Sequence, residues 1–275
     1  MAISISNFLK KLKNSYTPSV YVIRQAKTED GVDGSLVSYA DEHSYLAEQY
    51  KVIRTNLYSL SPEKPFKTVV ITSAQSQEGK TVTSCNLSYT LSLDTEKKIL
   101  LLDADFRRPS VHKVLGIQRK PGFTNILNDE VSLEQFIKKP AVGNLYVIPS
   151  GSVVTNTAEL LSSKKMRELI DMLKLKFDYL VFDTPPVINV TDSSILGSLC
   201  DCVIMIVRAG VTPKSMVEEA YTMLRHAQAK PKACILTDTS IPVYYYYLSR
   251  YKYYYNYRYG YVKSADKKNN SPSPQ

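Results

Sequence analysis

The chain has 275 residues, 44% hydrophobic and 22% charged, enough for one sizeable core or two small ones. Its longest aliphatic run, Val203 to Val207, is far too short to cross a bilayer, and the stretch MAISISNFLKKLKNSY has no apolar segment of signal-peptide length. A cytoplasmic protein is therefore expected. The net charge of +9 gathers at the two ends: Lys10, Lys11, Lys13, Arg24 and Lys27 at one, Arg250, Lys252, Arg258, Lys263, Lys267 and Lys268 at the other. Basic ends suit acidic lipid, nucleic acid, an acidic partner or simple solubility.

In chain order, residues 1–40 read as a weakly patterned extension, with a turn at Gly31-Val-Asp-Gly34. From Ser44 to Leu60 the apolar residues Leu46, Tyr50, Ile53, Leu57 and Leu60 recur at helical spacing, and Pro62 and Pro65 end that helix. Short apolar runs follow at 68–72, 99–103, 145–148, 179–183, 202–207 and 233–236. Helical patterns are expected near 80–93, 158–176, 191–199 and 213–228. The runs are apolar throughout rather than alternating, which fits strands covered on both faces. Strand and helix in alternation predict a doubly wound, mainly parallel α/β sheet. That domain spans 41–242. Residues 243–275 form a flexible tail, Pro/Ser-rich at its end. The four cysteines lack metal-ligand spacing and read as core residues.

Ligands of such sheets bind beyond the C-terminal strand ends, so the loops there matter most. Ala74-Gln-Ser-Gln-Glu-Gly-Lys-Thr81 follows a strand and opens a helix, as a phosphate-binding P-loop does. Its candidate phosphate-binding residues are Gln75, Ser76, Gln77, Glu78, Gly79, Lys80, Thr81 and Val82. Lys80 would reach the outer phosphates and Thr81 a Mg²⁺ ion. The second loop, Asp103-Ala-Asp-Phe-Arg107, sets two carboxylates two residues apart just past a strand. The third, Asp183-Thr-Pro-Pro186, gives a strand-end aspartate able to hold Mg²⁺ through water. Three such loops, each after a buried strand, point to nucleoside triphosphate binding.

The chain also crowds eleven of its 21 tyrosines into Val243–Tyr261: Tyr244, Tyr245, Tyr246, Tyr247, Tyr251, Tyr253, Tyr254, Tyr255, Tyr257, Tyr259 and Tyr261. With AQSQEGKT, ILLLDADFR and YLVFDTPP, this cluster resembles the bacterial protein-tyrosine kinases of capsule and exopolysaccharide synthesis. Asn156-Thr-Ala-Glu-Leu-Leu161 resembles that family's N-P-A-E-L-L, and Arg108-Pro109 with His112 its R-P-x-x-H. The resemblance implies a P-loop enzyme that uses ATP and Mg²⁺ to phosphorylate its own tail in trans, within a ring-like oligomer. It implies Lys80, Asp103, Asp105, Arg107 and Asp183 as catalytic residues, with Asp103 taking the phenolic proton. Thr81, Asp105 and Asp183 would hold the metal. It further implies a membrane activator that engages the kinase through its cytoplasmic end, a peripheral place at the inner membrane face, and a cognate phosphatase. Nucleic acid is not an expected partner. The family's oligomerisation motif E-x-x-R-x-x-R is matched by Glu48, Lys51 and Arg54, with lysine for the first arginine. A second departure is Gln77, where the family has glycine. Two alternatives remain open: a nucleotide-binding scaffold without catalysis, and a partitioning-type ATPase. The latter carries a second P-loop lysine where this chain has Gln75.

Overall fold

The computed structural model describes residues 28, 31–60, 66–136 and 144–238. The tyrosine cluster, the basic N-terminal residues and the expected boundary near Val243 lie outside them. Six strands form one sheet: β1 (Thr68–Ser73), β2 (Ile99–Asp103), β3 (Leu145–Ile148), β4 (Tyr179–Asp183), β5 (Cys202–Arg208) and β6 (Pro231–Thr237). Their order is β3-β2-β4-β1-β5-β6, and every neighbouring pair runs parallel. The register places Asp183 opposite both Ile71 and Asp103, so the exits of β1, β2 and β4 adjoin.

Every residue of β1, β2 and β4 is buried, which is why these strands read as unbroken apolar runs. Successive side chains serve opposite cores. Val70, Leu100, Leu102 and Phe182 face one; Val69, Ile71, Leu101 and Val181 face the other. The first core is closed by α8 (Lys164–Lys176), α9 (Asp192–Leu199) and α10 (Lys214–His226), through Leu169, Leu173, Leu196, Ala220 and Leu224. The second is closed by α2 (Tyr45–Ser59) and α3 (Lys80–Ser92), through Leu57, Leu87 and Leu91. Cys85, Cys200 and Cys202 are buried and unpaired, as expected of core residues.

Local chemistry sets the helix ends. Ser44 caps α2 by accepting from the Ala47 amide at 3.1 Å. The single helix expected over 158–176 is two, α7 (Thr157–Ser162) and α8, because Ser163 turns extended and caps α8 by accepting from the Met166 amide at 3.1 Å. Four short helices lack enough turns to show periodicity: α1 (Val37–Ala40), α4 (Val111–Val114), α5 (Phe123–Leu127) and α6 (Leu133–Phe136). The stretch 31–40, read as extension, packs into the body. Val32 and Leu36 are core residues, and the Ser38 amide donates to Asn86 Oδ1 on α3 at 2.9 Å. Among the described residues no helix is long and apolar enough to cross a membrane.

Candidate functional site

The loop between β1 and α3 turns on two residues in the left-handed region, Gln77 at φ 64° and Gly79 at φ 86°. Gly79 meets this without steric cost; for Gln77 it is strained by roughly 1–2 kcal/mol. Glu78 supports the loop from within. It is buried, and its carboxylate accepts from the Gln75 amide at 3.0 Å and from the Thr212 hydroxyl. The Glu78 carbonyl accepts from the Thr237 hydroxyl at 2.9 Å. The loop is thus tied to the exits of β5 and β6. Ser73 adds a hydroxyl bond to the Gln75 carbonyl at 2.6 Å. Ser76 and Gln77 are exposed at the loop tip, Val82 is half-buried, and Lys80 is buried at the start of α3.

Asp183 lies at the centre of the site and is 0% exposed. The Thr81 hydroxyl donates to its Oδ2 at 2.7 Å, and the Ser84 hydroxyl to its Oδ1 at 2.9 Å. Ser110 donates in turn to the Thr81 oxygen at 3.0 Å. Asp103, on the neighbouring strand, is also fully buried. It accepts from the amides of Asp105 and Val111 at 3.3 and 3.2 Å. Asp105 accepts from the Arg108 amide at 2.9 Å, which fixes the turn after β2.

Burial, then the charges of Asp183 and Asp105, push the Asp103 carboxyl well above the usual range. Burial raises Asp183 to about 6, against the pull of Thr81, Lys80 and Ser84. Clustered buried carboxyls of this kind favour a cation among them. A threonine hydroxyl beside carboxylate oxygens is the hard oxygen set that would suit Mg²⁺. Among the described residues no three His, Cys, Asp or Glu form a self-sufficient metal cage. A Mg²⁺ carried in with a nucleotide needs none.

Arg107 bonds elsewhere than the aspartate pair. Its Nε donates to Asp192 at 3.4 Å and its Nη2 to the Thr157 hydroxyl at 3.0 Å. On α2, Lys51 pairs with Glu48 at 2.7 Å. Arg54 Nη1 donates to the Thr90 carbonyl at 2.8 Å, so the would-be interface arginine also serves its own chain. The structure thus joins the P-loop residues with Asp103, Asp105 and Asp183, and keeps Glu48, Lys51 and Arg54 apart on α2. Sequence reading passed over Ser84, Ser110, Thr157 and Asp192. Ser84 carried a usable signal, since it lies one helical turn beyond Thr81.

The family described as AAA domain matches residues 66–233. Tyrosine-protein kinase YwqD of Bacillus subtilis is 34% identical over 213 residues, covering 78% of this chain and 90% of its own length. Tyrosine-protein kinase wzc of Salmonella typhi is 30% identical over 205 residues, 73% of this chain but 28% of that longer protein. The kinase domain of Escherichia coli tyrosine kinase ETK superposes with a TM-score of 0.71 at 24% identity, covering 86% of this chain and 87% of that one, a likeness of fold.

Proposed function

The chain belongs to the bacterial tyrosine-protein kinases, and from that premise we propose an autokinase that moves the γ-phosphoryl group of ATP onto its own tyrosines, Tyr244 to Tyr261. One observation carries this reading. The P-loop hydroxyl of Thr81 rests on Asp183, with the buried carboxyls of Asp103 and Asp105 at the exit of the next strand. In this reading Lys80 and the amides of residues 75–82 hold the phosphates. Thr81, Asp105 and Asp183 hold Mg²⁺, which supplies charge neutralisation on the phosphate oxygens. Asp103 takes the phenolic proton as the tyrosine oxygen bonds to the γ-phosphorus and the bond to the ADP oxygen breaks. A phenol ionises near pH 10, so a carboxyl held above its usual range is a better-matched base than an ordinary one.

The tail suits the acceptor role. No acid lies between Asp238 and Asp266, so its basic residues are drawn to an acidic site. Phosphorylation runs in trans within an oligomer that Glu48, Lys51 and Arg54 help to form. Each phosphate adds about −1.5 to −2 charges, so several reverse the tail's sign and loosen the assembly. By the same reading, the kinase regulates polysaccharide synthesis and export. It works at the inner membrane face on a membrane activator and is reset by a phosphatase.

A mixing experiment tests the trans step. Protein truncated before Val243 supplies the enzyme, and full-length Lys80→Met supplies the tail. Phosphotyrosine on the Lys80→Met chain is the expected result; its absence, with wild type active, restricts transfer to the chain's own tail. The second reading, a nucleotide-binding scaffold, draws on the strained Gln77. It is favoured by ATP binding without phosphotyrosine in the presence of the activator's cytoplasmic peptide.

A further inference from the structure

Arg107 leaves the turn after β2 two residues beyond Asp105, and its side chain is 48% exposed. Its inner edge is fixed by two groups from different parts of the chain. Asp192, in the first turn of α9 and 0% exposed, accepts from Nε at 3.4 Å. Thr157, the first residue of α7 and also buried, accepts from Nη2 at 3.0 Å and donates to the other Asp192 oxygen at 3.3 Å. Guanidinium, hydroxyl and carboxylate close a three-membered ring of bonds. A guanidinium has five N–H donors. Two are used here, and the other three have no partner among the described residues.

A fully buried carboxylate strongly disfavours being left without its cation. Asp192 therefore holds Arg107 in the turn after β2, the turn that carries Asp105 and follows Asp103, which pairs with Asp183 of β4. The motif that 156–161 resembles has proline where this chain has Thr157, and proline has no hydroxyl to offer. The third bond is thus a feature of this sequence.

The geometry assigns Thr157 and Asp192 as positioning residues: they hold Arg107 with its free N–H groups turned to the phosphoryl group in transfer. This rests on the kinase reading for its reaction, though the holding of Arg107 is a property of the fold. As the phosphoryl group moves, charge spreads over its three equatorial oxygens. A pre-oriented guanidinium binds that arrangement better than it binds ADP, and a freely rotating one loses much of the advantage.

The test compares affinity for Mg²⁺–ADP with affinity for Mg²⁺–ADP–aluminium fluoride, a mimic of the group in transfer, by calorimetry. Wild type is expected to bind the mimic at least about tenfold tighter, and Arg107→Ala to lose that margin. Asp192→Asn and Thr157→Val are expected to lose most of it with ADP affinity unchanged, while Thr157→Ser keeps it. Thr157→Val preserves size, so the test stands even if Asp192→Asn folds poorly. Equal margins in wild type, Thr157→Val and Asp192→Asn overturn the assignment, as does no margin in wild type. A margin that depends on Thr157, in a protein that makes no phosphotyrosine, upholds the assignment and removes the tyrosine acceptor instead.

Discussion

At the scale of single residues, charge and backbone conformation decide most. Lys80 is a buried cation at the start of α3, beside the buried carboxyls. Lys80→Met is expected to lower phosphotyrosine formation by at least about 100-fold, as loss of a preorganised charge contact does. Gln77 gives a prediction of opposite sign. Its side chain is exposed, and its φ of 64° is one that glycine adopts freely. Gln77→Gly should stabilise the protein by about 1 kcal/mol, raising Tm by about 2–4 °C. A fall in Tm would mean that the loop is not strained there. The buried aspartates give the pH dependence. Asp183 in the folded chain titrates at about 6, above its ordinary value, so the folded state binds more protons than the unfolded chain. Its contribution to stability is therefore full below pH about 4 and is lost as pH rises through about 6. Denaturant titrations of nucleotide-free wild type and Asp183→Asn should diverge in slope over that window, the variant being flatter. The placement of Lys80, Thr81, Asp103 and Asp183 at one rim was legible because each ends or follows a buried strand within a compact motif. The placement of Thr157 and Asp192 was not: it comes from an approach to Arg107 across 50 and 85 residues of chain, which no local pattern encodes.

At the scale of elements, burial and capping explain what the sequence revealed. The central strands are apolar on both faces, so their existence and bounds stood out, while the order β3-β2-β4-β1-β5-β6 did not. Nothing within a parallel strand names its neighbour. The split of α7 from α8 turns on one serine hydroxyl, a local signal hidden beneath continuing helical periodicity. Packing of α2 on α3 has a specific fastener. Arg54 donates at 2.8 Å to Thr90, whose carbonyl lies in the last turn of α3, where helix carbonyls in general lack a partner further along the helix. Arg54→Ala should therefore cost about 1–2 kcal/mol of stability, apart from any effect on assembly. Lys51→Ala, which removes an i,i+3 pair with Glu48, should change stability by less than about 0.5 kcal/mol. Thermal melts of the two variants at low concentration separate these effects. Equal losses would mean that the Arg54 contact adds nothing beyond a surface pair.

At the scale of the whole molecule, the sheet gathers the P-loop and three carboxyls at one rim, while the proposed acceptors lie in the tail. The resemblance suggests this division of labour, on a motif set for phosphate and metal and then a tyrosine cluster without acids. The proposed assembly is a matter of surfaces, on which a single chain's sequence is nearly silent beyond the motif on α2. Restoring arginine at Lys51 should strengthen self-association several-fold, since its planar fork pairs with a carboxylate in two bonds where lysine makes one. Sedimentation velocity at matched concentration reads this directly. The central claim is that this rim transfers phosphate to the tail's own tyrosines. Its most direct test is to incubate the full chain with Mg²⁺ and ATP, together with the activator's cytoplasmic peptide. Phosphotyrosine is then mapped by mass spectrometry in wild type, Lys80→Met and a chain ending before Val243. The account predicts modified residues confined to Tyr244–Tyr261 in wild type and none in either variant. Equal signal in Lys80→Met, or signal that survives truncation, would contradict it.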